Sequence, residues 1–157
     1  GSNKEPDMPE SFCSLNYHII FSTKKRIPCI TSDLQSRLIE YIGGIIRAQG
    51  GKLIAAGGTA EHVHLLLSTS KEMSISEVVR LIKTNSSKWV HETYPQKQDF
   101  AWQTGYAAFT VSYSNLGKVE QYISNQPEHH RKVSFQDEFI EFLKRHHLEY
   151  NEQYLDV

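Results

Sequence analysis

The sequence is poor in cysteine and contains no long hydrophobic run. Its 157 residues include only two cysteines, Cys13 and Cys29, which are too few and too isolated for a disulfide scaffold or a thiolate metal site. No apolar segment approaches the ~20 residues that span a bilayer, and no signal-peptide pattern is present. We therefore expect a cytoplasmic protein without a membrane partner.

The sequence also lacks an excess of charge of either sign. Its 17 lysine and arginine residues are balanced by 18 acidic residues, and the formal net charge is −1 with histidine counted as neutral. This balance argues against a nonspecific coat on DNA, although it is compatible with a local basic groove.

Neither internal repeats nor low-complexity segments divide the chain. Its hydrophobic fraction of 39% is sufficient for the core of one domain. We expect a single domain over residues 12–150, a flexible leader over 1–11 and a C-terminal tail over 151–157. Within the leader, residues 1–2 (Gly-Ser) are typical of what tag cleavage leaves behind.

Hydrophobic periodicity predicts four strands and four helices. The strands cover residues 14–23, 52–58, 62–68 and 101–112. Capping boxes open the first two helices, Ser32 with Gln35 and Ser74 with Glu77. Two further helices are expected over 115–126 and 135–147. The order βαββαβ predicts an α+β fold, a ferredoxin-like (RRM-like) antiparallel sheet with additional C-terminal helices.

Two histidines stand in the third predicted strand. In the stretch TAEHVHLLLST (59–69), His62 and His64 project from one face, because side chains alternate along a strand. Imidazoles at this spacing are close enough to bind one metal ion. The spacing alone leaves open the commoner situation, two half-buried histidines that are satisfied by hydrogen bonds.

A tyrosine and a glutamine stand four residues apart in the third predicted helix. Tyr122 and Gln126 therefore project from the same side of that helix. A glutamine carbonyl suits Mg²⁺ or Mn²⁺ in combination with imidazoles, and a tyrosine beside such an ion can attack a phosphodiester. Taken alone, an ordinary helix with a half-exposed tyrosine and a solvated glutamine is the more frequent case. Pro127 also biases Gln126 away from helical geometry.

Five segments together resemble a known family. They follow one another between residues 17 and 130: YHIIFSTKKR, EHVHLLL, KTNSSKWV, WQTGYAAFTVS and YISNQPEHH. The run His62-Val63-His64 resembles the HUH motif, two histidines around a hydrophobic residue. With Tyr122 and Gln126, it resembles the single-tyrosine HUH transposases of the insertion-sequence-200-like group, which includes relatives associated with repetitive extragenic palindromes.

The resemblance implies a metal-dependent transposase that cleaves and rejoins single-stranded DNA at hairpin-bearing ends. By position, His62, His64 and Gln126 would bind a divalent metal, Mg²⁺ or Mn²⁺. Tyr122 would attack the scissile phosphate, forming a 5′-phosphotyrosine and freeing a 3′-hydroxyl. It further implies a bacterial or archaeal, nucleoid-associated protein that acts as a homodimer, in which the tyrosine helix of one subunit can complete the site of the other.

Basic residues are expected to bind the DNA backbone. The candidates are Lys24, Lys25 and Arg26 in a loop, Arg80, Lys83, Ser87 and Lys88 on the second helix, and Arg131. We expect His129 and His130 to extend this basic surface rather than to bind a metal.

Two alternatives to a mobile-element transposase remain. A domesticated relative would process palindromic repeats with the same chemistry, and only inverted repeats beside the gene would separate the two. A catalytically silent ferredoxin-like module would bind nucleic acid through aromatic side chains on an exposed sheet face. The presence of His62, His64, Tyr122 and Gln126 together argues against the silent module.

Overall fold

A four-stranded antiparallel sheet organises the chain. The computed structural model describes residues 10–151, 155 and 157. The strands are β1 (Asn16–Ser22), β2 (Lys52–Gly58), β3 (His62–Ser68) and β4 (Ala107–Thr110), in the spatial order β2-β3-β1-β4. The helices are α1 (Ser32–Ala48), α2 (Ile75–Thr93), α3 (Leu116–Ser124), α4 (Gln126–His129) and α5 (Phe135–Arg145). The predicted α+β class and the βαββαβ order are confirmed.

Both faces of the sheet are covered by helices. One face carries Val63, Leu65 and Leu67 of β3 and packs against α1 and α2. On the other face, Ile20 of β1 packs into a second apolar cluster, to which α5 contributes Phe139. Because the second face is covered, the polar side chains that β1 and β3 project there are buried rather than open to solvent.

The capping predictions are correct at one helix and wrong at another. Ser74 caps α2 as expected, because its hydroxyl accepts a hydrogen bond from the Glu77 amide (3.2 Å). The capping box expected at Ser32 is wrong. Thr31 caps α1 instead, accepting from the Leu34 amide (3.4 Å), so the helix begins with Ser32 itself.

The fourth strand is shorter than the predicted 101–112. β4 pairs with β1 over four residues only. Upstream of it, Lys83 Nζ donates to the carbonyls of Gln103 (2.7 Å) and Gly105 (2.5 Å). The Lys83 ammonium thus satisfies carbonyls that a longer strand would have paired with a neighbouring strand, and regular pairing with β1 is interrupted at these residues.

The hairpin between β2 and β3 depends on a glycine and fixes the first histidine of the pair. Gly58 has a φ of 149°, and a Cβ there would lie 2.2 Å from the His62 carbonyl oxygen. The Thr59 amide donates to that same carbonyl (3.1 Å). His62 therefore starts β3 immediately after a tight turn.

The predicted leader and tail fall largely outside the described residues, which omit 1–9, 152–154 and 156. Leu155 and Val157 are buried against the apolar side of α5. The Val157 carbonyl accepts a hydrogen bond from the Ser22 amide (3.0 Å), at the end of β1. In the described ranges, no helix is both long and apolar enough to cross a membrane.

Candidate metal and tyrosine site

His62 and His64 lie side by side on the face of β3 that α3, α4 and α5 cover. Their ring centroids are 5.2 Å apart, and both side chains are fully buried. Each ring is oriented by a neighbour, since His62 Nδ1 lies 2.9 Å from Thr59 Oγ1 and His64 Nδ1 lies 2.8 Å from His18 Nε2. Both Nε2 atoms are thereby directed away from these neighbours, as in histidines that are held ready to bind a metal.

Tyr122 and Gln126 do not belong to one continuous helix, so the predicted helix over 115–126 is wrong at its end. The helix α3 stops at Ser124, and Pro127 has no amide hydrogen to extend it. Gln126 is the first residue of the short helix α4, so the expected bias of Gln126 away from helical geometry is not observed. Both side chains nevertheless reach the histidines. Gln126 is fully buried, and its Oε1 lies 3.3 Å from His62 Nε2.

Close packing of α3 on β2 sets the position of Tyr122. A Cβ at Gly57 would lie 2.6 Å from the backbone carbonyl oxygen of Ile123, so only glycine allows this approach. Ile123 itself is buried. The neighbouring Tyr122 ring consequently lies beside the histidines, with its centroid 5.9 Å from that of His64.

Glu138 lies at the centre of the site, and the sequence analysis missed it. Its side chain is only 2% exposed. Oε2 accepts hydrogen bonds from the Tyr122 hydroxyl and from Gln126 Nε2 (3.1 Å), while Oε1 lies 3.1 Å from His64 Nε2. The available signal was a carboxylate on the apolar stripe of α5, three residues after the buried Phe135.

His129 and His130 face into the site, so the expectation that they extend a basic surface is wrong. His129 Nε2 lies 3.2 Å from Glu138 Oε2, and His130 Nε2 lies 3.2 Å from Glu138 Oε1. The contact of His130 is close but poorly aligned. Its Nε2 is the one buried side-chain polar atom in the described part of the chain without a hydrogen-bond partner.

Burial controls the protonation of these groups. It lowers the pKa of both His18 and His62 to about 3, and the neighbouring His64 adds to the effect on each. Burial, followed by the hydrogen bond to Glu138, raises the pKa of Tyr122. Burial opposes ionisation of Glu138, but the surrounding imidazoles, His130 and His64 foremost, hold its pKa below the usual range.

The donor set fits a divalent metal ion. His62, His64, His130 and Glu138 each offer one ligand atom, and these atoms lie within 4.8 Å of one another. Imidazole nitrogens and a carboxylate oxygen without a thiolate are typical ligands of first-row divalent cations. The buried His130 Nε2, which has no aligned hydrogen-bond partner, has a lone pair available to a cation.

The sequence pattern of one protein family, described as "Transposase IS200 like", matches residues 11–126, about three quarters of the chain and all of the sheet. The chain belongs to the IS200-like transposase family. Members of a transposase family cleave DNA, and the protein is accordingly a DNA-cleaving enzyme with a histidine and glutamate cluster able to hold a metal.

Several characterised relatives and solved structures are similar to this IS200-like transposase. The ISDra2 transposase TnpA of Deinococcus radiodurans is 27% identical over 71% of this chain and 84% of its own. The transposase of insertion sequence IS200 from Salmonella typhimurium is 25% identical over 79% of this chain and 84% of its own.

Among solved structures, a protein of D. radiodurans R1 assigned as a transposase superposes with a TM-score of 0.60 at 25% identity, over 76% of this chain and 97% of its own. The REP-associated tyrosine transposase bound to a REP hairpin superposes with a TM-score of 0.58. At 17% identity, over 80% of this chain and 76% of that chain, it supports the fold alone.

The predicted DNA-binding residues do not form one surface. The helix α2, which carries Arg80, Ser87 and Lys88, packs on the sheet face opposite the histidines. Lys24 and Lys25 are exposed in the loop after β1. The loop adjoins α2, since the Lys25 amide donates to Gln103 Oε1 and Lys83 of α2 donates to the Gln103 carbonyl, whereas Arg131 follows α4 on the histidine side of the sheet.

Three of the other predicted cations are already engaged. Lys83 is bound to backbone carbonyls, and burial lowers its pKa to about 8, so it is not available to a phosphate. Arg26 donates to the Leu155 carbonyl (3.2 Å) and lies over the Phe135 ring. Arg131 forms an exposed ion pair with Glu128 (3.0 Å).

Proposed function

We propose that this transposase cleaves and rejoins single-stranded DNA at hairpin-bearing ends through a covalent 5′-phosphotyrosine on Tyr122. The observation that carries the proposal is the convergence of Tyr122 from α3, Gln126 from α4 and the histidine pair His62 and His64 from β3 in one cluster. Buried polar groups cost stability unless they are hydrogen-bonded, and several perturbed titratable groups gathered at one place are typical of a functional site.

The chemistry assigned to Tyr122 is a transesterification. Its phenolic oxygen forms a bond to the scissile phosphorus, the bond from phosphorus to the 3′-oxygen breaks, and that oxygen takes up a proton as a free 3′-hydroxyl. The hydroxyl of Tyr122 donates to Glu138, which is thus positioned to take the phenolic proton. Because phosphodiester energy is kept in the phosphotyrosine, rejoining requires no ATP.

His62, His64 and Gln126 would hold a divalent cation, Mg²⁺ or Mn²⁺. Such an ion, when bound, neutralises charge on a phosphate and favours the phenolate form of a neighbouring tyrosine. This favours reaction at a tyrosine whose pKa is otherwise raised by burial.

The exposed Lys24 and Lys25 are the loop cations that we assign to the DNA backbone near the site. Their loop follows β1 directly, and the preceding residue, Thr23, donates its amide to the Glu61 carbonyl (2.8 Å) next to His62. Phosphate contacts of this kind position DNA without reading its sequence. Binding of a longer DNA that reaches beyond the site could in addition involve the other predicted residues, Arg80, Ser87, Lys88 and Arg131.

A homodimer is part of the proposal, and the cluster bears on how its sites are built. Tyr122 lies beside His64 of the same chain, which favours a site made by one subunit. Mixing Tyr122→Phe and His64→Asn subunits tests this. A site within one subunit predicts no recovery of cleavage in the heterodimer, whereas recovered cleavage would establish a shared site.

Cleavage of labelled single-stranded oligonucleotides tests the proposed reaction. The substrates carry a hairpin and the sequences flanking the host's own inverted repeats. We expect cleavage with Mn²⁺, none in excess EDTA and none with Tyr122→Phe, while Tyr113→Phe, which alters a tyrosine that is 80% exposed, cleaves normally. Undiminished cleavage in EDTA or by Tyr122→Phe would contradict the proposal.

A further inference from the structure

We propose that Glu138 and His130 are direct ligands of the divalent cation, an inference that rests on the proposed function and adds two ligands to the predicted set. Neither residue belongs to the matched family segment, which ends at residue 126. The ligand set would then contain three imidazoles, one carboxylate and the amide oxygen of Gln126, supplied by β3, α4, α5 and the residue that follows α4.

The distances around Glu138 Oε1 support ligation. This oxygen lies 3.1 Å from His64 Nε2 and 3.2 Å from His130 Nε2. Adjacent donors that bind one ion at about 2.1 Å and at right angles are about 3.0 Å apart. Glu138 Oε1 is therefore already at the separation of a neighbouring ligand from each of these two nitrogens.

The two oxygens of Glu138 have different surroundings. Oε2 is engaged by the Tyr122 hydroxyl, by Gln126 Nε2 and by His129 Nε2 (3.2 Å), whereas Oε1 is contacted by the imidazoles of His64 and His130 alone among the described residues. Hydrogen bonds to one carboxylate oxygen orient the other, as outer-sphere partners do in metal sites. Oε1 is thereby presented to the position between the imidazoles.

His130 provides an independent observation. Its side chain is only 9% exposed, and its Nε2 has no aligned hydrogen-bond partner although Glu138 lies nearby. Leaving a buried imidazole nitrogen unsatisfied costs free energy, which ligation of a cation would recover. His130 and Phe135 also line a cleft of about 620 Å³, so one of the candidate ligands lies at the wall of a surface cleft.

The enlarged ligand set predicts a preference between metals. Three imidazoles favour a first-row transition ion, whereas Mg²⁺ prefers oxygen ligands and retains water. We therefore expect the DNA-free protein to bind Mn²⁺ at least about tenfold more tightly than Mg²⁺. Equal affinities would contradict a nitrogen-rich site.

Titration of the full chain with Mn²⁺, followed by the electron paramagnetic resonance signal of the free ion, tests the ligands without DNA or activity. We expect Glu138→Gln and His130→Asn each to weaken binding by more than about a hundredfold, beyond the roughly 10–100-fold loss that is typical of outer-sphere partners. Glu141→Gln and His147→Asn alter exposed residues nearby and should bind Mn²⁺ like the wild type. Circular dichroism in EDTA checks the fold of each variant, and His130→Asn carries the test if Glu138→Gln does not fold.

The outcomes separate this inference from the proposed function. Unchanged affinity in folded Glu138→Gln or His130→Asn, with binding lost in His64→Asn, would overturn the two added ligands and leave the proposed function intact. Absence of Mn²⁺ binding by the wild type would overturn both the added ligands and the proposed metal site. Weakened binding in both variants, alongside a wild type that does not cleave DNA, would support the ligands while contradicting the proposed reaction.

Discussion

Acid should destabilise the metal-free protein through two buried histidines. Burial lowers the pKa of His18 and His62 to about 3, whereas a histidine in the unfolded chain titrates near its ordinary value of 6.5. Between these pH values the unfolded state binds more protons than the folded state. The free energy of unfolding therefore falls as the pH falls below about 6.5.

The size of the effect follows from the two pKa values. Lowering the pH from 7 to 5 costs about 2 kcal/mol for each histidine, or about 4 kcal/mol for both, by proton linkage. That is a large part of the 5–15 kcal/mol that stabilises a typical domain. Both side chains are at most 2% exposed, so solvent screening does not reduce the estimate substantially.

Urea unfolding in EDTA at pH 7 and pH 5 measures this loss. His18→Gln keeps a polar partner for His64 and removes one titrating group, so it should lose about 2 kcal/mol less than the wild type on acidification. His147→Asn alters an exposed histidine and should follow the wild type. A wild-type loss below about 1 kcal/mol, or equal losses in His18→Gln and wild type, would refute the reasoning.

Two further predictions concern the stability of the fold. Gly57→Ala should lower the free energy of unfolding by about 1–3 kcal/mol and reduce cleavage, because the added Cβ would clash with the Ile123 carbonyl and displace α3. As the control, Gly117→Ala adds a Cβ where no atom lies within 4 Å and should be neutral or stabilising. Equal stability of the two variants in urea would contradict this packing. Lys83→Met should lower the melting temperature, because the carbonyls that Lys83 satisfies lose their donor. Lys88→Met, at an exposed lysine of the same helix, should leave the melting temperature unchanged. An unchanged melting temperature in Lys83→Met would contradict the role of Lys83 in holding these carbonyls.

Local patterns predicted most of the fold. Alternation along β3 and the capping residue Ser74 depend on neighbouring residues, and the structure reproduces both. Within the predicted 101–112 strand, Ala107–Thr110 pairs with β1 as expected, and Trp102 forms a single bridge with Thr23, but the residues between them do not pair. The carbonyls of Gln103 and Gly105 accept hydrogen bonds from the distant Lys83 instead of from a neighbouring strand, and no local sequence pattern predicts this contact.

The candidate site was predictable only in part. His62, His64, Tyr122 and Gln126 carry recognisable spacings, so they could be singled out from the sequence. Glu138 could not be assigned to the site, because its contacts join residues that are 8 to 74 positions apart in the chain. His130 was assigned to a basic surface because it stands beside an arginine and a lysine. That local pattern is as typical of a basic surface as of a buried ligand.

Mapping a covalent adduct is the most direct test of the central claim, that Tyr122 is the nucleophile. The protein is incubated with Mn²⁺ and a hairpin oligonucleotide taken from the flanking repeats, then denatured in detergent and digested. The account predicts a detergent-stable adduct whose nucleotide remnant is found on the Tyr122 peptide by mass spectrometry, and which is absent from Tyr122→Phe although that variant still binds the DNA. An adduct on another tyrosine such as Tyr106 or Tyr113, or one that persists in Tyr122→Phe, would contradict it.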